Sequence, residues 1–333
     1  MINARRLALL ALLTALATLP YWIARVGLYQ YLGIEILVWG LYALSYNLLL
    51  GYTGLPSFGH GAYFGVGAYA FGLIQKHVGM NLWLDLFGAM LVAASAGAIV
   101  AAFISHRRGI YYALMTIAFC QIFWFVSIKW HSVTGGEDGL LSLKRVPADL
   151  GVVSIPLADN VSLYYFVLVV SIVIAALLWR MVHSPFGRVI QAIRQNETRV
   201  AYVGYNVWLY KWLVFVISAG LSGLAGALFA LAQLGAFPDV MSLQSSGFVV
   251  MMTLIGGGLV SFWGPLIGAM VFFVARDALG ALTSTWTLWY GLMFMTIVVV
   301  KPEGIAGMWQ SAMARIQAAK SRGAPAAAAA ARR

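Results

Sequence analysis

The polar residues best placed to interact with a solute lie in one stretch, residues 51–61, which reads Gly-Tyr-Thr-Gly-Leu-Pro-Ser-Phe-Gly-His-Gly between two apolar runs. Glycine, proline and serine interrupt regular structure, and irregular backbone at membrane depth survives only against protein or a water-filled cavity. The stretch is therefore a candidate lining of a pathway. An interfacial turn, with Ser57 capping the next helix, explains the same residues. The candidate pathway residues are Gly54, Ser57, Phe58, His60, Gly61 and Tyr63.

Residue patterns that carry out catalysis are missing from the sequence. It has no His-Glu-x-x-His motif, no Cys-x-x-Cys pair, no Gly-x-Ser-x-Gly elbow and no Gly-Lys dipeptide. The last absence excludes a phosphate-binding loop, so another chain would have to bind any ATP that powers this protein. We therefore expect no enzyme activity, no cofactor and no metal on this chain. The single cysteine, Cys120, is interpreted as a small buried hydrophobe.

Ionisable residues are scarce inside the apolar runs. Glu35, Asp85, Lys129, Arg276 and Asp277 lie toward the outer ends of their runs, and none is placed at the midplane. A proton- or sodium-driven carrier usually needs such a group near the middle of the membrane, although backbone carbonyls can also bind sodium. The sequence therefore weighs against that class of transporter.

Composition places the chain in a membrane. Of its 333 residues 62% are apolar and 9% are charged, whereas a soluble domain has about 45–50% apolar and about 25% charged residues. The mean hydropathy of +0.88 excludes a water-soluble globule. Length and hydropathy predict an all-α, polytopic bundle of about ten spans. The spans are expected at 7–25, 28–50, 58–76, 82–104, 109–129, 162–183, 211–233, 246–262, 264–281 and 285–300. The short eighth and ninth either cross the membrane or form one re-entrant pair.

Charge sets the expected orientation of the bundle. With both termini in the cytoplasm, fifteen of the 21 Lys and Arg residues lie inside, and eight of the ten acids lie outside. The positive-inside rule therefore favours this N-in, C-in topology, and the net charge of +11 requires no nucleic acid. The first apolar run also resembles part of a signal peptide, but it lacks a small-x-small cleavage site, and we interpret it as a retained helix.

Loops and tail complete the expected organisation. One membrane domain is predicted over 1–309, followed by an Ala/Arg-rich cytoplasmic tail, 310–333, that is either flexible or an amphipathic surface helix. Two loops are longer than the others: 130–161 outside and 184–210 inside. Loops of this length between short connections tend to be functional. The inner loop is basic and amphipathic, and topology determination alone is its simplest explanation.

Small residues recur at helical spacing and predict close helix packing. Gly61 and Gly65 form a Gly-x-x-x-Gly pair, and Ser222 and Gly226 belong to a second run of small residues. We expect Gly65, Ser222 and Gly226 to lie where helices approach each other. Residues 54–58 and 258–262 also match at four of five positions, which is either a trace of duplication or coincidence.

Several separate motifs, in order from about residue 30 to 308, resemble the M-type permeases of branched-chain amino acid ABC importers. The residues that carry the resemblance are Gly51–Ala70, Gly187-Arg188, Ala192–Arg194, Asn196-Glu197, Ala201, Gly204, Phe215–Ala219, Gly223–Leu228, Gly256–Gly258, Gly264-Pro265 and Lys301–Ile305.

The resemblance implies a multi-pass subunit of the bacterial inner membrane that works by alternating access. Its implied partners are a sister permease, two cytoplasmic ATPase subunits that hold ATP-Mg, and a periplasmic binding protein. The inner loop is similar to the segment that couples such permeases to the ATPase, although Arg199 and Val200 depart from the usual pattern. The coupling residues implied are Gly187, Arg188, Arg194, Asn196, Glu197, Ala201 and Gly204.

The substrate stays open at this level. The resemblance favours branched-chain or related hydrophobic amino acids, and similar permeases import urea, short amides or aromatic acids. An ion-driven secondary transporter and a channel are the rival classes, but the sequence shows neither a midplane charge nor a repeated selectivity filter.

Overall fold

A computed structural model describes residues 14, 16, 18–21, 29–79, 81–149, 154–257, 259, 261–300 and 304–308. In this part of the chain nearly all regular structure is helical, and one two-stranded hairpin is the exception. The prediction of an all-α membrane protein is therefore confirmed. The tail 310–333 and most of the run at 7–25 lie outside the described residues.

The helices and strands follow one another with short connections. They are α1 (Tyr31–Asn47), α2 (Gly61–His77), α3 (Leu82–Ile104), α4 (Gly109–Lys129), α5 (His131–Thr134), β1 (Ala148–Asp149), β2 (Ser154–Ile155), α6 (Asn160–Val182), α7 (Pro185–Gln195), α8 (Glu197–Tyr202), α9 (Val207–Gln233), α10 (Leu243–Gly256), α11 (Gly264–Leu282) and α12 (Trp286–Val300). A π-helical segment, Leu48–Thr53, extends α1, and single 3-10 turns occupy Gly136–Asp138 and Pro238–Met241.

Six helical segments of the described residues are long and apolar enough to cross a membrane. Each corresponds to one of the ten apolar runs in the sequence, and the count of ten stays a prediction. The six segments are Tyr31–Thr53, Leu82–Ile104, Gly109–Lys129, Asn160–Val182, Val207–Gln233 and Gly264–Leu282.

Three other helices that correspond to predicted spans are shorter than these six segments. One of them corrects the bounds predicted from the sequence. Helices α2, α10 and α12 have 17, 14 and 15 residues. The helix expected over 246–262 runs over Leu243–Gly256 instead, because Gly257 adopts a left-handed conformation with φ +87° and ends it. At about 1.5 Å per residue, α10 covers about 21 Å, which is less than the ~30 Å hydrocarbon core.

The centre of the bundle is formed by α1 and α9. Helix α9 packs against α1, α2 and α3, and α1 also packs against α6 and α11, while α10 pairs with α11. Both central helices bury most of their residues. Helix α4 lies at the periphery, where ten of its 21 residues are exposed and five are buried.

The small residues singled out in the sequence lie at close contacts between elements. A Cβ atom at Gly226 would overlap the backbone oxygen of Phe64, and one at Gly65 would overlap the side chain of Met241. The hydroxyl of Ser222 donates to that of Ser45 across 3.4 Å. Helix α9 therefore lies almost backbone to backbone against α2, which larger side chains would prevent.

The region between α4 and α6 is more ordered than the loop expected over 130–161. It holds α5, a 3-10 turn and the antiparallel hairpin, in which Ala148 pairs with Ile155. The carboxamide of Gln75 in α2 donates to the carbonyl of Lys144 and accepts from its amide, both at 2.9 Å. This region is therefore fixed to one end of α2.

Candidate functional site

The stretch predicted to interrupt the membrane helices is irregular and mostly buried. Helix α1 ends in the π-helical segment, Gly54 takes a left-handed conformation at φ +73°, and α2 begins only at Gly61. The interpretation of Ser57 as the cap of this helix is wrong. The residue at the cap position is His60, and the Ser57 hydroxyl is buried without a hydrogen-bond partner among the described residues.

Neighbouring helices hold this stretch through its backbone. The amide of Phe58 donates to Thr116 Oγ1 of α4 at 3.2 Å, and the amide of Gly61 donates to Ser246 Oγ of α10 at 3.0 Å. A Cβ at Gly59 would overlap the backbone oxygen of Thr116. Glycine is therefore required at this position for the chain to lie against α4.

His60 is the centre of a fully buried polar chain. Its Nε2 lies 2.9 Å from Ser218 Oγ, and the Ser218 hydroxyl donates to the carbonyl of Ser45 at 2.8 Å. Because that hydroxyl has only one proton, His60 Nε2 is the donor in its bond to Ser218. Full burial without an acidic partner among the described residues favours the uncharged imidazole, in which Nδ1 then carries no proton. No described residue bonds to Nδ1.

Aromatic rings surround the imidazole. Tyr42 stacks parallel to it with ring centroids 6.2 Å apart, and the rings of Tyr46, Tyr63 and Phe215 lie 5.3–5.8 Å away. The structure thus brings Tyr63 and His60, both candidate pathway residues, into direct contact. Among the other candidates, Gly54, Ser57 and Gly61 flank His60 in the chain, and the Phe58 side chain reaches the surface.

Several buried polar groups around this cluster lack partners. The hydroxyls of Tyr42 and Tyr112, the carboxamide of Asn47, the hydroxyl of Ser57 and Nδ1 of His60 make no hydrogen bond within the described part of the chain. Each such group costs about 1–3 kcal/mol unless water or a ligand satisfies it. The cluster therefore holds uncharged donors and acceptors that the described residues leave unsatisfied.

A separate cavity of about 390 Å³ lies among α1, α6 and α11. Its lining is almost entirely apolar and includes Leu37, Leu168, Trp179 and Leu266. It lies on another face of α1 and offers no set of polar groups to a solute. We therefore place the candidate pathway at the His60 cluster.

The amphipathic segment over 184–210 forms two short helices, α7 and α8. Ser184 caps α7, with Pro185 at its first position, and Asn196 caps α8 by accepting from the amide of Arg199 at 2.9 Å. Gly187 is buried where a Cβ would overlap the carbonyl of Val182. The segment is thus folded against the bundle, and Arg188 projects into solvent.

Arg194 connects this segment to the irregular stretch. Its guanidinium donates to the backbone carbonyl of Gly51 and, at 3.3 Å, to that of Leu259 between α10 and α11. Its Cγ also lies 2.9 Å from where a Cβ of Gly54 would be. One side chain therefore joins α7 to both regions that carry the repeated five-residue motif.

Glu197 makes the second connection. Its carboxylate lies 3.0 Å from Arg108 Nε and 3.4 Å from Lys211 Nζ, and Lys211 also donates to the carbonyl of Arg107 at 2.7 Å. The Lys211 side chain is 0% exposed. From the sequence, Lys211 and Arg108 were interpreted only as positive charges near the ends of spans. The one feature that could have indicated the buried ion pair is the position of Lys211 at the start of an apolar run.

The turn after α8 is an exposed apolar tip, residues 201–205. Tyr202 is 87% exposed, Val203 and Tyr205 are also exposed, and Gly204 has φ +98° with open space around it. Ala201 is exposed beside them. Apolar side chains held out in this way outside the spanning helices are typical of a protein-binding surface.

Groups of three or more His, Cys, Asp or Glu side chains able to hold a metal ion are absent from the described residues.

Comparison with known proteins identifies a family. The sequence profile described as "Branched-chain amino acid transport system / permease component" matches residues 29–301. The chain is 25% identical over 324 residues to the high-affinity branched-chain amino acid transport system permease protein LivM of Escherichia coli K12, covering 91% of this chain and 75% of the relative. The LivM protein of Salmonella typhimurium matches with the same identity and coverage. LivH of Escherichia coli K12 is 24% identical over 289 residues, 81% of this chain and 91% of the relative. No solved structure matched the chain.

Proposed function

This chain belongs to the family of permease components of branched-chain amino acid transport systems, and from that premise we propose that it carries branched-chain or related hydrophobic amino acids into the cytoplasm by alternating access. A permease subunit of an ABC transporter is not an enzyme, and ATP hydrolysis takes place on the ATPase subunits of the complex. The permease would move between outward- and inward-facing states when those subunits close on ATP.

The observation that carries this proposal is the bond between Arg194 and the backbone at Gly51. Coupling requires a partner that contacts two states of the permease differently and an element that transmits the difference. Helix α7 is attached through Arg194 to the stretch beside His60. A push on α7 would therefore move the residues that we propose line the pathway.

The apolar tip at 201–205 is the proposed ATPase contact. Tyr202, Val203 and Tyr205 project away from the bundle on the same segment as Arg194. With N-in, C-in topology in a bacterial inner membrane, this tip faces the cytoplasm. Two ATPase subunits, a sister permease and a periplasmic binding protein would complete the importer.

The chemistry of the His60 cluster supports a small substrate that carries no net charge. Its free groups are hydroxyls, a carboxamide and a neutral imidazole nitrogen, so it offers hydrogen bonds without a fixed charge. A zwitterionic amino acid meets these conditions, and so does urea or a short amide. We propose the M-type assignment because LivM of Escherichia coli K12 matches 91% of the chain and LivH of the same strain matches 81%.

Purification and reconstitution test the proposed function. The tagged chain is extracted from native membranes in mild detergent. A second permease and ATPase subunits are expected to co-purify with it. Reconstituted with them and their binding protein, it is expected to accumulate leucine, isoleucine and valine only when ATP is present. A chain that purifies alone and transports on an ion gradient without ATP would be a secondary transporter, and uptake of urea, amides or benzoate alone would exclude amino acids.

Replacing Gly204 with aspartate is expected to lower ATP-driven uptake by about tenfold, within the usual range of coupling free energies. The substitution puts a side chain at φ +98° and a charge between Val203 and Tyr205, in the proposed ATPase contact. Uptake is measured at equal amounts of membrane-inserted protein.

The matched control is Gly79→Asp, just after the C-terminal end of α2. Gly79 also has positive φ, +132°, and open space around it. The substitution introduces the same strain and charge away from the tip, and we expect normal uptake. Equal losses in both variants would show that the defect is not in coupling.

A further inference from the structure

Gln121 places a carboxamide on the exposed side of a membrane-spanning helix. It lies in α4, Gly109–Lys129, twelve residues from the start and eight from the end. At about 1.5 Å per residue, it is about 18 Å and about 12 Å from the two ends. A carboxamide has two donors and an acceptor, and hydrocarbon tails bond to neither, so its exposure to lipid alone is unfavourable.

The exposed residues around Gln121 are spaced to fit another helix. Tyr111, Leu114, Ala118, Gln121 and Phe125 are all exposed and follow intervals of three, four, three and four residues. This is the spacing of a seam between two packed helices. Ala118 is small enough to let a partner helix approach the carboxamide closely.

The exposed side of α6 has a different composition. Val169, Ile172, Val173 and Leu177 are exposed there and are all aliphatic. These four side chains are satisfied by lipid tails, because none of them has a hydrogen-bonding group. The polar residue therefore distinguishes the α4 face from a lipid-facing one.

The buried side of α4 contacts the candidate site. Thr116 accepts from the Phe58 amide, and Cys120 Sγ lies 3.1 Å from the carbonyl of Met241. A partner on the exposed side would thus lie one helix away from the stretch that we propose lines the pathway.

We infer that the stripe Tyr111, Leu114, Ala118, Gln121 and Phe125 binds a membrane-spanning helix of the sister permease, and that Gln121 forms a hydrogen bond across this interface. That the second subunit is a permease rests on the proposed function. Two distinct permease proteins, LivM and LivH, are named for the same transport system in Escherichia coli. A different permease chain is therefore the occupant to which the inference commits.

Photo-crosslinking in native membranes tests this surface directly. The photoreactive residue p-benzoylphenylalanine replaces Gln121 in the full chain. As the control it replaces Val173, which is exposed in the middle of α6 and does not line the cavity among α1, α6 and α11. Illumination at position 121 is expected to join the chain to a second, different permease, identified by mass spectrometry. Position 173 is expected to give lipid adducts only.

The outcomes separate this inference from the proposed function. If ATPase subunits purify with the chain but position 121 joins only to lipid, or to a second copy of the chain, the inference is wrong and the proposed function stands. If no ATPase subunit is recovered, the proposed function fails whatever position 121 contacts. As a second measurement, Gln121→Leu is expected to weaken recovery of the sister permease about threefold, in line with typical hydrogen bonds between membrane helices. Unchanged recovery would exclude the hydrogen bond.

Discussion

Replacing Glu197 with glutamine is expected to lower the free energy of unfolding by about 3 kcal/mol, because it leaves the Lys211 ammonium buried without a carboxylate. Lys211 is 0% exposed, and Glu197, at 18% exposed, is its acidic partner at 3.4 Å. The Arg107 carbonyl continues to accept from Lys211 at 2.7 Å, which keeps the loss at the lower end of the range for broken buried pairs. Unfolding of the purified chain in detergent measures the difference.

A double substitution separates the charge effect from simple loss of contacts. Glu197→Gln combined with Lys211→Met removes both charges, and the pair is expected to regain most of the lost stability. Arg108→Gln is the matched control on the other partner of Glu197. Because Arg108 is 60% exposed, its loss is expected to cost less than about 1 kcal/mol. A double variant no more stable than Glu197→Gln alone would contradict this account of Lys211.

Replacing Arg194 with alanine is expected to lower ATP-driven uptake by about tenfold or more while the complex still hydrolyses ATP. The side chain is the one that joins α7 to the carbonyls of Gly51 and Leu259. Without it, movement of α7 is no longer transmitted to the stretch beside His60. Uptake and ATP hydrolysis are measured on the same reconstituted complex, so that uncoupling is distinguished from loss of assembly.

Two further variants define the role of Arg194. Arg194→Lys keeps the charge but not the planar fork that reaches two carbonyls, and an intermediate loss is expected. Arg180→Ala removes another exposed arginine at the end of α6, and it is expected to leave uptake unchanged. If Arg194→Ala transports normally at equal protein level, the mechanical link between α7 and the pathway is wrong.

The membrane class, the six segments that can span a membrane and the segment over 184–210 were accessible from the sequence, because hydropathy and charge are local properties of the chain. The motifs between residues 30 and 308 also led to the permease family, which the match over 29–301 confirms. Local sequence patterns gave wrong helix ends where contacts with neighbouring elements determine where a helix begins or stops. The span expected over 246–262 ends early at Gly256, where a Cβ would overlap the backbone oxygen of Gly264. Ser57, which fits a helix cap by type, lies three residues too early.

In the candidate site, the sequence identified individual residues, and only the structure showed their partners. Composition and motif singled out His60, Arg194 and Glu197 one by one, but their partners lie far away in the chain. His60 bonds to Ser218, Arg194 to the backbone of Gly51, and Glu197 to Lys211 and Arg108. Sequence alone determined that this protein is a helical membrane protein, because burial in lipid constrains every residue of a span. The permease family followed from the resemblance of its motifs. The contacts between the segment over 184–210 and the stretch over 51–61 were decided by the tertiary structure, because hydrogen bonds between distant residues depend on how the helices pack.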